Sequence, residues 1–259
     1  MPGILMEHSS IAALIMAGGR SERMRAGGSP QHKALRTVLG VPLIEHNLRA
    51  LLWFGFERLY VAVSAGEAAL QAWIQRRGRR MAESSGSTLE GLVETAPLGT
   101  IGAVTCLPRD IDDVVIVNVD NLTSLDLTQL ARHHREHRAA ATIATHVHSF
   151  AMPFGLLETS GARVVAYREK PLLPVPISSG TYALHRRAID RVPAGERFGV
   201  PALIADLLEA GEAVLAFPHQ EAWIDVNDEA ALAEAQRMLS QTSGRWPGDL
   251  SERAVRIQP

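Results

Sequence analysis

The sequence predicts an α/β protein with a mostly parallel β-sheet flanked by helices. Short apolar runs alternate with segments of helical periodicity through the first half of the chain. These runs show no polar alternation, which indicates strands that are buried on both faces. The pattern changes near residue 139, where short strands between Gly- and Pro-containing turns predict a small antiparallel layer attached to the sheet.

The parallel part of the predicted sheet has four strands, at residues 11–17, 57–64, within 89–95 and at 113–119. Helices are predicted at residues 42–55, at 66–80 and from about residue 100. This alternation is typical of a Rossmann-like fold. In such sheets ligands bind beyond the carboxyl ends of the strands, where Gly18, Gly19 and Asp120 would lie.

The antiparallel layer is predicted from four strands, at residues 141–148, 154–158, 163–168 and 177–184. Two helices come after them, at residues 200–210 and 228–240, with a strand at 213–217 between them. We expect a single domain over residues 1–241. Residues 242–259 contain Pro, Gly and mixed charges, which predict an irregular tail.

The composition is that of an ordinary soluble enzyme, with 46% hydrophobic and 21% charged residues among 259. A formal net charge of −2 predicts neither nucleic acid nor an anionic membrane as a partner. Cys106 is the only cysteine, so internal disulfides and cysteine-rich zinc sites are excluded. The first residues do not resemble a signal peptide, and no apolar run approaches the ~18 residues of a membrane span. The expected location is the cytoplasm.

The loop after the first strand is the first candidate binding site. Its glycines allow the backbone to approach a phosphate, and its cations can surround a triphosphate. It matches neither the dinucleotide-binding fingerprint nor the Walker loop. A tight turn with surface arginines would explain the loop equally well if it stood alone. The candidate phosphate-binding residues are Ala17, Gly18, Gly19, Arg20, Ser21, Arg23 and Lys33.

This loop resembles the opening motif of the sugar-1-phosphate nucleotidyltransferases, which read A-G-G-x-G-T-R-L/M, then P-K-P and G-x-P-L/M. The matching positions are Gly18, Gly19, Arg23, Met24, Lys33 and the segment 40–43. Ser21 and Glu22 replace Gly and Thr, and His32-Lys33-Ala34 replaces P-K-P. The R-S-x-R-M form also resembles the molybdopterin guanylyltransferases, which share the fold.

A second block, E-T-A-P-L-G-T-I-G-A at residues 94–103, resembles the family's E-x-x-P-L-G-T-A-G-A segment. The resemblance implies that Glu94 lies near the base, and that Gly99 and Thr100 lie against base and sugar. A carboxylate accepts hydrogen bonds from guanine or from a pyrimidine N3–H, and suits adenine poorly. Together with the resemblance of the P-L-G-T-x-G-A segment, Glu94 favours GTP, with mannose or heptose 1-phosphate as its partner, while UTP, dTTP and CTP stay open.

The resemblance also implies a magnesium site. Asp120 ends V-N-V-D where the family reads N-G-D, and Asp225 lies in W-I-D-V-N where the family reads W-x-D-V/I-G. Both family aspartates bind Mg²⁺, which takes one or two carboxylates together with phosphate oxygens and waters. An Asp that ends a buried strand is also a common cap. His133 and His137 lack a third ligand and are interpreted as part of a solvated helix.

The sugar-phosphate site is implied by R-E-K-P at residues 168–171 and S-S-G-T-Y at 178–182, which resemble the family's E-K-P and N/S-A-G-I-Y segments. Without that context, a surface ion pair and ordinary turns would explain these residues. The residues implied to bind the sugar phosphate are Gly155, Glu169, Lys170, Ser179 and Gly180.

The resemblance covers about residues 11–240 and implies a Mg²⁺-assisted, in-line attack of a sugar 1-phosphate on a nucleoside triphosphate. Arg23 would hold the β/γ-phosphates, Lys33 the α-phosphate region and Lys170 the sugar phosphate. Residues 11–138 would bind the nucleotide and residues 139–241 the sugar.

Two alternative functions remain open, and so does the formation of a homo-oligomer. One function is a molybdenum-cofactor guanylyltransferase, which the R-S-E-R-M loop favours. The other is a non-catalytic nucleotide-binding paralogue, which is suggested by the departures from the family pattern at Ser21, Ala34, Val119 and Asn227.

Overall fold

The computed structural model describes residues 11–19, 32–241 and 246–248. Seven strands form the central sheet, in the order β12-β8-β11-β6-β1-β4-β5. Their bounds are β1 Ile11–Ala17, β4 Arg58–Ser64, β5 Thr88–Glu94, β6 Asp113–Asn118, β8 Ala141–Ala151, β11 Leu172–His185 and β12 Val214–His219. The remaining strands form three small antiparallel pairs: β2 Thr37–Val38 with β3 Val41–Pro42, β7 Asn121–Thr123 with β13 Trp223–Asp225, and β9 Leu156–Ser160 with β10 Arg163–Arg168.

The strand β1 lies at the centre of the parallel part, between β6 and β4. Residues 12–17 are all buried, because both faces of this strand are covered. Parallel pairing brings the carboxyl ends of β1, β4, β5 and β6 to one edge of the sheet. The predicted α/β class and the parallel order of the first half are confirmed.

The antiparallel strands are arranged differently from the expectation of an attached layer. β8 and β11 belong to the central sheet, because β11 pairs antiparallel with both β6 and β8. Only the β9–β10 hairpin forms a sheet of its own among these strands. The first half of β8 is largely buried within the central sheet, whereas its second half is exposed to solvent.

Seven α-helices connect and cover the strands of the described chain. They are α1 Leu43–Trp53, α2 Ala68–Trp73, α3 Arg79–Glu83, α4 Leu127–Glu136, α5 Arg186–Ile189, α6 Val200–Glu209 and α7 Glu229–Gln241. A π-helical turn, Ile74–Gly78, joins α2 to α3, and a 3-10 turn is formed by Lys33–Leu35. None of the helices that the structure describes is long and apolar enough to cross a membrane.

The helix predicted from about residue 100 is instead a 3-10 helix, Gly102–Cys106. Leu107 has an extended backbone, and the residue after it is Pro108. Proline disfavours helical geometry in the residue before it, so the segment ends after little more than one turn. Gly102 also lies against the backbone of Glu196, which leaves no room for a larger residue.

The hydrophobic core lies on both faces of the sheet. Ile15 belongs to the cluster covered by α1, α2 and α4, and Leu14 to the cluster covered by α5 and α6. A third cluster packs α7 against Leu43 and Leu122. β1 therefore contributes alternate side chains to two cores at once.

Replacing Ile15 by Ala should lower the free energy of unfolding by ~2–5 kcal/mol, because a fully buried side chain leaves a cavity. Urea denaturation measures the loss. The control is Val165→Ala, at a side chain that is 60% exposed on β10. A loss for Ile15→Ala no larger than that for the control would contradict the placement of β1 in the core.

Candidate active site

The carboxyl edge of the parallel strands gathers residues from distant parts of the sequence. Ala17 ends β1, Glu94 ends β5, and Asp120 comes shortly after β6. The backbone N–H of Val119 donates to the carbonyl of Met16 at 3.1 Å, so β1 and β6 stay paired up to this edge. The methyl group of Ala17 is buried in the core, which leaves only its backbone for a ligand.

The side chains of Lys33 and Asp120 form an ion pair at this edge. Lys33 Nζ lies 2.5 Å from Asp120 Oδ2, and the two side chains are 21% and 16% exposed. Lys33 lies on the 3-10 turn that comes after the loop. Water and salt screen a partly buried ion pair less than an exposed one. The carboxylate of Asp120 therefore attracts a cation strongly. The sequence predicted both residues for the site, and the structure brings them into direct contact.

Asp225 lies next to Asp120 through strand pairing. β13 pairs with β7 so that Asp225 is opposite Asn121, and the N–H of Val226 donates to the carbonyl of Asp120 at 2.8 Å. The side-chain amide of Asn227 donates to Asp225 Oδ2 at 3.1 Å. A magnesium ion takes only one or two protein carboxylates, because phosphates and waters supply its other ligands. The part of the chain that the structure describes holds no cluster of three or more His, Cys, Asp or Glu residues suited to a metal.

Glu94 is a buried carboxylate with one oxygen left for a ligand. The residue is only 4% exposed, and its Oε2 accepts the N–H of Leu98 at 3.2 Å. Oε1 has no hydrogen-bond partner among the described residues. It lies against Gly18, where an added Cβ would come within 2.1 Å of it, whereas a Cβ at Gly19 would meet no described atom. A side chain at position 18 would therefore displace the carboxylate of Glu94 from its present position.

Gly99 and Thr100 hold a turn against the segment before α6. Gly99 has a φ of +83°, and a Cβ there would lie 2.4 Å from the carbonyl oxygen of Phe198. The hydroxyl of Thr100 accepts the N–H of Val200 at 3.1 Å, at the first residue of α6. This hydrogen bond of Thr100 anchors the turn, and the sequence alone did not indicate this partner.

Gly180 of β11 lies against the side chain of Asn121 on β7. Gly180 has a φ of +72°, and a Cβ there would lie 1.8 Å from Asn121 Nδ2. Asn121 is buried, and its Oδ1 has no partner among the residues described. Ser179 is only 1% exposed and donates its hydroxyl to the carbonyl of Ala144, so its side chain serves the fold. Asn121 was missed from the sequence, although its position directly after Asp120 was a usable signal.

The predicted sugar-phosphate residues on the hairpin form a separate, exposed group. Tyr167 donates its hydroxyl to Glu169 Oε2 at 2.5 Å, and Gly155 packs against that hydroxyl. Lys170 has a positive φ of 43°. Across the described residues, no hydrogen bond or ion pair joins Glu169 or Lys170 to Asp120.

The predicted phosphate-binding residues Arg20, Ser21 and Arg23 lie outside the described residues. The ends of their loop are joined by His32, which is 2% exposed. His32 Nδ1 accepts the N–H of Ala34 at 3.1 Å, so the ring proton is on Nε2, which donates to the carbonyl of Gly19 at 2.9 Å. His32, which departs from the family's P-K-P, thus connects Gly19 with the 3-10 turn that carries Lys33.

A family model described as "Nucleotidyl transferase" matches residues 12–242. The chain belongs to this nucleotidyltransferase family. It is 29% identical, over 78% of the chain, to mannose-1-phosphate guanylyltransferase of Mycobacterium tuberculosis. It is 27% identical, over 83% of the chain, to UTP–glucose-1-phosphate uridylyltransferase of Synechocystis. The chain spans 57% and 59% of the lengths of these relatives.

Solved structures share the fold. HddC from Yersinia pseudotuberculosis superposes with a TM-score of 0.67 at 20% identity, over 88% of this chain and 99% of that one. A putative glucose-1-phosphate thymidylyltransferase from Bacillus anthracis gives a TM-score of 0.69 at 16% identity, over 88% of this chain and 95% of that one. The mostly parallel sheet with its small antiparallel additions is therefore shared with these two solved structures.

Burial raises the pKa of Glu94 above its ordinary value, and the N–H of Leu98 opposes the shift only in part. The native state then keeps a proton that the unfolded chain has lost, so stability falls as pH rises from the unfolded pKa through the folded one. Gln at this position does not titrate. We expect the stability of the wild type relative to Glu94→Gln to fall as pH rises above ~4.3.

Urea denaturation of both proteins between pH ~4 and ~7 measures this difference. Glu90→Gln, at an exposed position on the same strand, is the control. A difference that stays constant with pH for Glu94→Gln would contradict the effect of burial on this carboxyl.

Proposed function

We propose that the protein transfers a nucleotidyl group from a nucleoside triphosphate to a sugar 1-phosphate, giving a nucleotide-diphosphate sugar and pyrophosphate. The observation that carries the proposal is the pairing of Lys33 with Asp120 beside Asp225, at the edge where Gly18 meets Glu94. Both carboxylates and the lysine suit phosphate chemistry. The family match supports this class of reaction.

The reaction needs positioning and charge neutralisation more than acid–base catalysis. A phosphate oxygen of the sugar 1-phosphate attacks the α-phosphorus in line, and the bond to pyrophosphate breaks as the new P–O bond forms. The nucleophile is already an anion, so no general base is required. Holding the two anions together is then the main task of the protein.

Asp120 and Asp225 would hold the Mg²⁺ ion. Their fit rests on oxygen donors that strand pairing brings together, and on the amide of Asn227, which contacts Asp225 Oδ2. When bound, the ion supplies a Lewis acid and a template for phosphate oxygens. With the carboxylate of Asp120 bound to the ion, Lys33 would contact the α-phosphate region. Arg23 would hold the β- and γ-phosphates.

The base-binding residue in this proposal is Glu94. Its unpartnered Oε1 lies at Gly18, between the phosphate loop and β5. An ionised carboxylate accepts the N1–H and N2–H₂ of guanine, which favours GTP. The M. tuberculosis relative is named a guanylyltransferase and the Synechocystis relative a uridylyltransferase, so the choice of base belongs to the proposal.

The sugar 1-phosphate is assigned to residues 139–241 together with Asn121, while residues 11–138 hold the nucleotide. Gly180 leaves room for the amide of Asn121, whose buried oxygen can accept from a sugar hydroxyl. Glu169 and Gly155 would fix the ring, and Lys170 would neutralise the sugar phosphate. Mannose or heptose 1-phosphate is the proposed substrate.

The departures from the family pattern do not favour a non-catalytic paralogue. Val119 and Ala34 are fully buried in the core beneath the site, so neither side chain crowds a nucleotide. Asn227 contacts Asp225, which orients a carboxylate where a glycine would not. The molybdenum-cofactor alternative is not favoured, because the relatives are named for sugar phosphates.

Asp120→Asn should lower the rate of pyrophosphate release by ~100-fold or more, because losing the charge of a metal ligand removes several kcal/mol of stabilisation. Release is measured with Mg²⁺ across a panel of nucleoside triphosphates and sugar 1-phosphates. Asp206→Asn, at a surface ion pair with Arg191, is the control. Full activity of Asp120→Asn would overturn the metal assignment, and no release with any pair of substrates would overturn the proposed reaction.

Restoring the family's glycine with Val119→Gly should not raise the rate, since the valine points into the core. It should lower the free energy of unfolding by ~2 kcal/mol or more, through lost burial and added backbone freedom. Urea denaturation and the pyrophosphate assay measure the two effects. A faster enzyme of unchanged stability would show that Val119 faces the nucleotide.

A further inference from the structure

A cavity of about 490 Å³ lies between α1 and residues 77–85, and its lining shares no residue with the candidate active site. This volume is in the range of small-molecule sites, ~300–1,000 Å³. Its wall includes three arginines and three large apolar side chains, Arg49, Arg77, Arg80, Leu52, Trp53 and Met81. The proposed reaction makes no use of this cavity.

A buried carboxylate orients two of the arginines. Glu45 is fully buried, and its Oε1 accepts from Arg49 Nη2 at 2.6 Å. Arg77 donates to the same carboxylate through Nε at 2.6 Å and Nη2 at 2.8 Å. These contacts use three N–H groups, and each guanidinium carries five. The remaining donors are held in a fixed place beside the cavity.

The wall carries an excess of positive charge. Three arginines and one glutamate line the cavity, which leaves two positive charges on a protein whose formal net charge is −2. Arg80 uses Nε to contact the carbonyl of Arg76, and this is the contact that its guanidinium makes within the described chain. Concentrated arginines on an acidic protein indicate a local site for an anion.

The π-helical turn Ile74–Gly78 places Arg77 toward Glu45. A turn of this kind inserts one residue into a helix and rotates the residues after it by ~100° relative to a regular α-helix. Gly78 packs against Leu89, where a Cβ would lie 2.7 Å from a side-chain carbon. π-Turns are rare and occur frequently at functional sites.

We propose that this cavity binds a small organic phosphate. Guanidinium groups match phosphate oxygens in bidentate geometry, so Arg77, Arg80 and Arg49 suit the anion. Trp53, Leu52 and Met81 supply an apolar wall for the organic part of the ligand. A bare inorganic ion would leave that wall unused.

Calorimetric titration of the full chain with inorganic phosphate and with adenosine 5′-monophosphate tests the proposal, at an ionic strength held constant with chloride. Adenine is a base that Glu94 suits poorly, which limits binding at the carboxyl edge. Arg80→Gln keeps the contacts of Glu45 intact and should weaken monophosphate binding ~10-fold or more. Arg79→Gln removes an exposed charge outside the cavity and should leave monophosphate binding unchanged. Trp53→Leu should weaken the nucleotide but not inorganic phosphate.

A Lys33→Ala variant separates the cavity from the proposed active site. Binding that survives Lys33→Ala and is lost in Arg80→Gln supports the cavity. The proposal is overturned if no saturable binding occurs, if Arg79→Gln and Arg80→Gln weaken it equally, or if only Lys33→Ala abolishes it. None of these outcomes depends on pyrophosphate release. The titration therefore tests the cavity, and the pyrophosphate assay tests the proposed reaction independently.

Discussion

The structure depends on one constraint, the parallel pairing of β1 with both of its neighbours. A strand in that position must be apolar on both faces, and β1 places Leu14 in one core and Ile15 in the other. Because β4, β5 and β6 run in the same direction as β1, their carboxyl ends share one edge. Glu94 at the end of β5 and Asp120 after β6 therefore lie along the same edge, although two strands separate them.

The site at that edge is built from charges that the fold partly removes from water. Asp120 is balanced by Lys33, while β13 brings the second carboxylate, Asp225, from late in the chain. Glu94 has no such balance, and its burial keeps the pKa of the carboxyl high. Charges held in place before a ligand arrives need little reorganisation during a reaction, which is the advantage of a preformed site.

The regular elements were readable from the sequence because their burial is uniform. β1 has the predicted bounds of residues 11–17, and the predicted helix at 42–55 contains α1. β8 was predicted in an attached antiparallel layer because its segment is one of several short strands between Gly- and Pro-containing turns, whereas it pairs within the central sheet. The helix predicted from about residue 100 is only the short 3-10 helix Gly102–Cys106, because Pro108 prevents it from continuing.

The side-chain partners of the site were less predictable, because hydrogen bonds between distant residues leave no periodic signal. The grouping of Asp120 with Asp225 came from motif resemblance, and strand pairing accounts for it physically. The partners of Thr100 and Ser179, and the buried amide of Asn121, depend on how α6, β8 and β11 pack. No local pattern in the sequence records that packing.

The contact between His32 and Gly19 joins two residues that lie 13 positions apart in the sequence. Joining the two ends of a chain segment of this length lowers its conformational entropy. The hydrogen bond from the buried imidazole of His32 to the carbonyl of Gly19 helps to offset that loss when the protein folds. The position of Lys33 is then set by the fold and not by the residues between the two ends. Substitutions within residues 20–31 can accordingly alter the groups that the loop offers to a ligand without moving the lysine. The cation beside Asp120 is therefore held in place by contacts of described residues outside that segment.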